Sequence, residues 1–224
     1  MILRGVQTDP RYFASGGFAD IFRGRWTKRS GDSVKVAVKL ARRRNVDDRT
    51  SQERTRKKFL REAKLWAQLH NRNVVPFYGL IFEQGYPGLV MPYYENGDLV
   101  CYLQRSPSVD KLNIISDIAG GLNYLHGFRS NPVIHGDIKA SNIMITDSGE
   151  ACLTDFGLAK ILYVPGYTTS SPAGTCRWMS PEILDGDDFY PTTASDIWAF
   201  AMTILEVNDS SAIALDYAGT YTLP

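Results

Sequence analysis

Cysteine is scarce in this chain. Cys101, Cys152 and Cys176 are odd in number and show no C-x-x-C spacing, so they suggest neither a disulfide framework nor a zinc site and leave reduced, mostly buried thiols as the expectation. Long apolar runs are missing too. The longest, residues 197–207, contains Glu206 and falls well short of the ~20 residues a bilayer span needs, so no membrane span is expected. The start, Met1-Ile2-Leu3-Arg4, lacks the basic segment, apolar core and small-residue cleavage site of a signal peptide, which points to an intracellular, cytoplasmic protein. No repeat or low-complexity stretch appears, and a hydrophobic content of 44% in 224 residues suits a soluble globular core.

Net charge is only +1, yet it is unevenly spread. Residues 1–96 hold 19 Lys/Arg against 9 Asp/Glu, whereas residues 97–224 hold 6 against 15. Much of the basic excess lies between Arg42 and Arg61. No aromatic interleaving or nucleic-acid motif accompanies it, so a solvated loop and helix face is expected rather than a nucleic-acid site.

The order of elements changes along the chain. Between residues 13 and 40 short β-type runs, "DIFRGRW" and "SVKVAVKL", flank a polar turn at 28–32. Residues 52–70 then place Phe59, Glu62, Trp66 and Leu69 on one helical face, with one carboxylate on the apolar side. Two strand-like runs, "VVPFYGLIF" and "GLVMPYY", precede the turn Glu95-Asn96-Gly97-Asp98, where the charge also changes sign. Beyond it helices dominate. Residues 111–126 carry Ile114, Ile115, Ile118, Leu122 and Leu125 at helical spacing, and the runs "NIMI" and "ACLT" flank a hairpin turn at 146–149. The fold class is α+β: a small β-rich lobe followed by a larger, mainly helical one.

Chemistry concentrates in "VIHGDIKASNIMI", residues 133–145, where Asp137 is followed by Lys139 and Asn142. Phosphoryl transfer calls for a carboxylate to accept a hydroxyl proton, a cation beside the transferring charge and hard oxygen ligands for magnesium, and these three residue types supply them. Asp155-Phe156-Gly157 follows an apolar run and adds a second metal-capable carboxylate beside a flexible glycine. "GTCRWMSPE" comes later, at residues 174–182.

Together these motifs resemble the protein kinase family over about residues 13–207, and within it the tyrosine-kinase-like group of serine/threonine kinases. The resemblance implies a bilobal fold, with residues 1–96 as the N-terminal lobe and 97–207 as the C-terminal lobe. His135-Gly136-Asp137 through Asn142 matches the catalytic loop, making Asp137 the catalytic base, Lys139 its companion, and Asn142 and Asp155 the magnesium ligands. Lys39 in "VAVKL" is the lysine expected on the α- and β-phosphates of ATP, with Glu62 as its partner. Physical reasoning agrees, because a carboxylate on an apolar helix face is costly unless paired.

The glycine-rich loop departs from the family pattern. In "ASGGFADIF", Ala14 and Ala19 stand where the first and third glycines belong, leaving Gly16 and Gly17 for close backbone approach to phosphate. The resemblance further sets Ile21 and Ala37 above the adenine and Met144 below it. It makes Met91 the gatekeeper, with the Pro92 carbonyl and the Tyr94 N–H facing the adenine edge. Lys139 and Thr175 favour serine/threonine over tyrosine specificity. Tyr163, Tyr167, Thr168, Thr169, Ser170 and Ser171 are candidate phosphosites, while Gly136 replaces the arginine that often grips a phosphorylated segment.

The expected reaction is ATP- and Mg2+-dependent phosphorylation of a protein substrate. Residues 208–224 do not resemble the helices with which the family continues, so the C-terminal lobe is expected to be incomplete. The alternative function is therefore a truncated, weakly active or inactive kinase-like binding module. The apolar circumference of the helix at 197–205, with Ile197, Trp198, Phe200, Met202, Ile204 and Leu205, calls for cover from the tail or from a partner chain, and two or three of these side chains are expected to stay uncovered without it.

Overall fold

A computed structural model describes residues 1–15, 19–42, 49–128, 132–155, 176–184 and 191–209. The chain divides into two compact units, Met1–Asn71 with Val75–Tyr93, and Arg72–Val74 with Tyr94–Pro224.

The first unit is an antiparallel sheet with one helix. Its strands are β1 (Val6–Ser15), β2 (Ala19–Thr27), β3 (Ser33–Ala41), β4 (Gly79–Glu83) and β5 (Tyr86–Pro92), in the order β1-β2-β3-β5-β4. The polar turn between β2 and β3 closes as expected, with Lys28 N donating to Asp32 O at 2.8 Å. On β3 the buried Val36 and Val38 join Leu3 and Val90 in a core against Trp26, Val34, Tyr78 and Ile81. Strand alternation then turns Ala37 and Lys39 to the opposite face. In register, Lys39 lies across from Ile21 on β2, and Ala37 across from Met91 on β5. Helix α1 (Arg49–Trp66) buries Phe59, Glu62, Ala63 and Trp66.

The sequence reading places a strand through residues 74–82, but β4 begins only at Gly79. Pro76 has no N–H to give a ladder, and the Val75 carbonyl is taken by the Trp66 indole at 2.6 Å. Helix α1 likewise ends at Trp66, although Leu69 beyond it is still buried.

The second unit contains α2 (Leu99–Arg105), α3 (Lys111–His126), the hairpin β6 (Ile143–Ile145) and β7 (Ala151–Leu153), α4 (Pro181–Leu184) and α5 (Thr193–Asn208). Asp98 and Asp110 cap α2 and α3 by accepting from backbone N–H groups of the first turn. Ile114, Ile118, Leu122 and Leu125 form the buried stripe of α3, as their spacing predicts. Gly121 is needed for close approach, since a Cβ there would lie 2.7 Å from the Asn73 carbonyl. Helix α5 opens with a capping box in which Thr192 and Ser195 bond each other's backbone N–H.

Its apolar circumference is only partly covered. Ser195, Asp196, Ala199, Thr203, Glu206 and Val207 point inward, whereas Ile197, Trp198 and Leu205 are 53%, 44% and 59% exposed. The inner stripe of α5 is thus mostly small or polar, for reasons that lie in the loop it supports.

Candidate active site

In the first unit, Lys39 Nζ donates to Glu62 Oε1 at 3.1 Å, with the Glu62 side chain 3% and the Lys39 side chain 15% exposed. A buried carboxylate on α1 has found its cation on β3, as the cost of an unpaired charge demands. Ala37 and Met91 are buried beside this pair's strand, Ile21 and Pro92 half-buried. Gly16 and Gly17 lie outside the described residues, as do Phe156, Gly157, Thr175 and the hydroxyl-bearing segment from Tyr163 to Ser171.

In the second unit the segment 133–142 is held from below. Val133, Ile134, Ile138 and Ala140 are buried and fix its path. Asp196, 1% exposed at the start of α5, accepts from His135 N and Gly136 N at 2.8 Å each, and also contacts His126 Nε2 at 2.9 Å. Glu206, almost three turns further along α5, accepts from Ala140 N at 3.0 Å and from the Trp178 indole at 3.1 Å. Two buried carboxylates of one helix therefore take up three backbone N–H groups of the loop. That role explains the polar inner stripe of α5.

His135 is fully buried, its Nδ1 accepting from Asp137 N at 3.3 Å and its Nε2 donating to the Thr154 carbonyl at 2.8 Å. This imidazole ties the loop to the strand end that leads into Asp155. Thr154 N also donates to the Asn142 carbonyl at 3.0 Å, so Asn142 and Asp155 are anchored to one another through a single residue. Asp155 adopts φ +63°, a left-handed conformation that Asp tolerates better than most side chains.

Asp137 has two different oxygens. Oδ2 accepts from Asn142 Nδ2 at 2.7 Å and lies 3.2 Å from Lys139 Nζ, whereas Oδ1 is buried and has no hydrogen-bond partner among the described residues. Asn142 Nδ2 also donates to the Asp137 carbonyl at 2.7 Å, which orients the amide and leaves Oδ1 of Asn142 as an oxygen donor. Met144 lies half-buried on β6, across from Cys152. Tyr94 is half-buried at the start of the second unit's main segment.

The sequence reading singles out Asp137, Lys139, Asn142 and Asp155, and the second unit gathers them within one loop and the strand end beside it. It missed His126 and the role of Glu206. A carboxylate inside an apolar helical run was the available signal for Glu206, since such a group needs buried donors.

Residues 10–220 match the family described as protein tyrosine and serine/threonine kinase. Over 201 residues the chain is 37% identical to the probable L-type lectin-domain containing receptor kinase V.3 of Arabidopsis thaliana, covering 86% of this chain and 28% of that protein. It is 32% identical over 208 residues to the L-type lectin-domain containing receptor kinase S.1 of the same plant, covering 90% and 30%. A mitogen-activated protein kinase kinase kinase of Drosophila melanogaster is 33% identical over 202 residues, covering 86% and 16%. The chain belongs to the protein tyrosine and serine/threonine kinase family, and it spans less than a third of the length of these relatives. Among the described residues no helix is long and apolar enough to cross a membrane.

Proposed function

We propose that this chain carries the phosphoryl-transfer centre of a protein kinase, moving the γ-phosphoryl group of Mg-ATP to serine or threonine hydroxyls of a protein substrate. The observation that carries this reading is the asymmetry of Asp137: Oδ2 is engaged by Asn142 and Lys139 while Oδ1 is unpartnered among the described residues. A carboxylate held by one oxygen presents the other in a fixed direction, which suits acceptance of a hydroxyl proton. As the substrate oxygen bonds to the γ-phosphorus and the bond to the bridging β–γ oxygen breaks, ADP leaves and the proton goes to Asp137. Lys139, beside the same carboxylate, places positive charge near the transferring group.

The remaining roles follow the family pattern. Lys39, held by Glu62, binds the α- and β-phosphates. Gly16 and Gly17 approach them by backbone, and Ile21, Ala37, Met91, Pro92, Tyr94 and Met144 receive the adenine. Residues 1–96 then act as the nucleotide-binding lobe and 97–207 as the catalytic lobe. The oriented amide oxygen of Asn142 and the Asp155 carboxylate form a hard-oxygen donor set that fits a magnesium ion. Among the described residues no group of three or more His, Cys, Asp or Glu side chains could hold a metal. Two protein ligands completed by phosphate oxygens and water suit an ion that keeps much of its hydration. Asn142 and Asp155 would hold the ion, which would supply positive charge to offset that developing during transfer.

Serine/threonine specificity rests on Lys139 and Thr175 as the resemblance reads them. The three cysteines are free thiols, which agrees with a reducing, ATP-supplied cytoplasm. Alanines at positions 14 and 19 favour a second reading, a module that binds nucleotide weakly and acts by association. Incubating the purified chain with γ-labelled ATP, Mg2+ and peptides bearing only Ser, Thr or Tyr separates the two. Label on Ser or Thr peptides supports the proposal, and binding of ATP without transfer supports the second reading.

A further inference from the structure

We infer that Arg23, set between the rings of Phe13 and Tyr93, is a positioning residue that latches the edge strand β1 to the end of β5 and fixes a side wall for the adenine. The inference rests on the nucleotide reading proposed above. All three residues belong to the first unit. The Arg23 guanidinium carbon lies 5.2 Å from the centroid of the Phe13 ring and 5.2 Å from that of the Tyr93 ring, and the two rings meet edge to face at 5.7 Å. In the sheet β1 and β5 are separated by β2 and β3, so the cluster joins two strands that no ladder joins. Among the described residues no carboxylate or carbonyl engages the guanidinium, and the two rings alone set its place.

The strand register explains how the cluster forms. Between the pairs Tyr12–Phe22 and Ala14–Ile21, β1 advances by two residues and β2 by one, which leaves Phe13 as the extra residue of a bulge. A bulge on an edge strand re-aims a side chain. At the other end Tyr93 N donates to Lys35 O at 3.4 Å, which keeps Tyr93 beside β3 just past the last ladder pair, Val36 with Pro92. Arg23 lies across from Ala37, and Ala37 across from Met91, so these three form one row over β2, β3 and β5 on a single face of the sheet. Strand alternation puts Ile21 and Lys39 on that same face. It is the face assigned to the nucleotide, and the latch runs alongside its adenine row. Arg23 is exposed and Phe13 46% exposed, so the bridge adds little to the core. A wall held in place before binding does lower the ordering cost of seating a base against Ala37 and Met91. Phosphate binding by Lys39 is left untouched.

Calorimetric titration of the full chain with Mg-ATP, with adenosine and with Mg-tripolyphosphate tests this. Arg23→Met, which keeps an apolar stem of similar reach but no charge, is expected to weaken ATP and adenosine binding alike by about three- to fivefold and to leave tripolyphosphate binding unchanged. Arg23→Lys, which returns a cation to the two rings, is expected to recover most of the loss, a rescue that packing alone would not produce. Wild-type affinity for adenosine in Arg23→Met, a lysine variant no better than the methionine one, or equal weakening of tripolyphosphate binding overturns the latch while leaving the nucleotide reading in place. A wild-type chain that binds neither ATP nor adenosine overturns both.

Discussion

Gly136 takes φ +77°, a backbone conformation that side chains other than glycine adopt only at a cost. Read from the sequence, this residue is a missing arginine. In the structure it is also the least strained choice for a loop whose N–H must point at Asp196. Gly136→Ala is expected to lower unfolding free energy by about 1–2 kcal/mol in urea melts, and an unchanged midpoint would show that the loop relaxes. Cys152 illustrates a different limit of residue-scale reading. Burial pushes its thiol up to about 12, so little thiolate forms near neutrality. Iodoacetamide should therefore leave Cys152 unmodified in the native chain and alkylate it only after denaturation, as peptide mapping would reveal. The motif residues Asp137, Lys139, Asn142 and Asp155 were legible because their types and spacing are local. The pairing of His126 with Asp196 was not, because seventy positions separate them.

Helix α5 shows how an element can be legible while its inward face is not. Its apolar residues lie around nearly the whole circumference, which selects no face, and the structure leaves Ile197, Trp198 and Leu205 exposed. The inward face is decided by Asp196 and Glu206, whose partners are distant backbone amides that no periodicity encodes. Asp196→Ala should leave two buried N–H groups unpartnered and destabilise the chain by roughly 2–4 kcal/mol, with transfer activity falling alongside. Thermal unfolding and a kinase assay on the same preparation check this, and an undiminished melting temperature would contradict it. Strand β1 was legible only from Phe13 onward. Its earlier part contains Asp9-Pro10-Arg11 and an irregular register between Thr8 and Ala14, a pattern that only an edge strand tolerates. At the β1–β2–β3 end, the Arg42 guanidinium holds the Asp20 carboxyl below its ordinary range, while partial burial opposes the shift. A depressed folded-state value contributes stability above the unfolded value and loses it as pH falls through the folded one. Acid titrations of wild type and Arg42→Ala should thus diverge above about pH 4 and converge below it, and parallel curves throughout would remove the linkage.

Across the whole chain, charge is divided between a basic and an acidic half, and the proposed reaction draws on residues of both. Residues 1–96, with 19 Lys/Arg against 9 Asp/Glu, include the lysine assigned to phosphate, and residues 97–224 include the carboxylates assigned to proton and metal. Composition announced that polarity, and the α+β order of elements announced the fold. What neither contained was which oxygen of Asp137 lacks a hydrogen-bond partner among the described residues. Phosphoryl transfer from γ-labelled ATP to a Ser/Thr peptide, measured for wild type and Asp137→Asn with ATP affinity determined in parallel, tests the central claim most directly. The account predicts a fall in turnover of about 10²- to 10⁴-fold with ATP affinity essentially unchanged; equal turnover in the two proteins would contradict it.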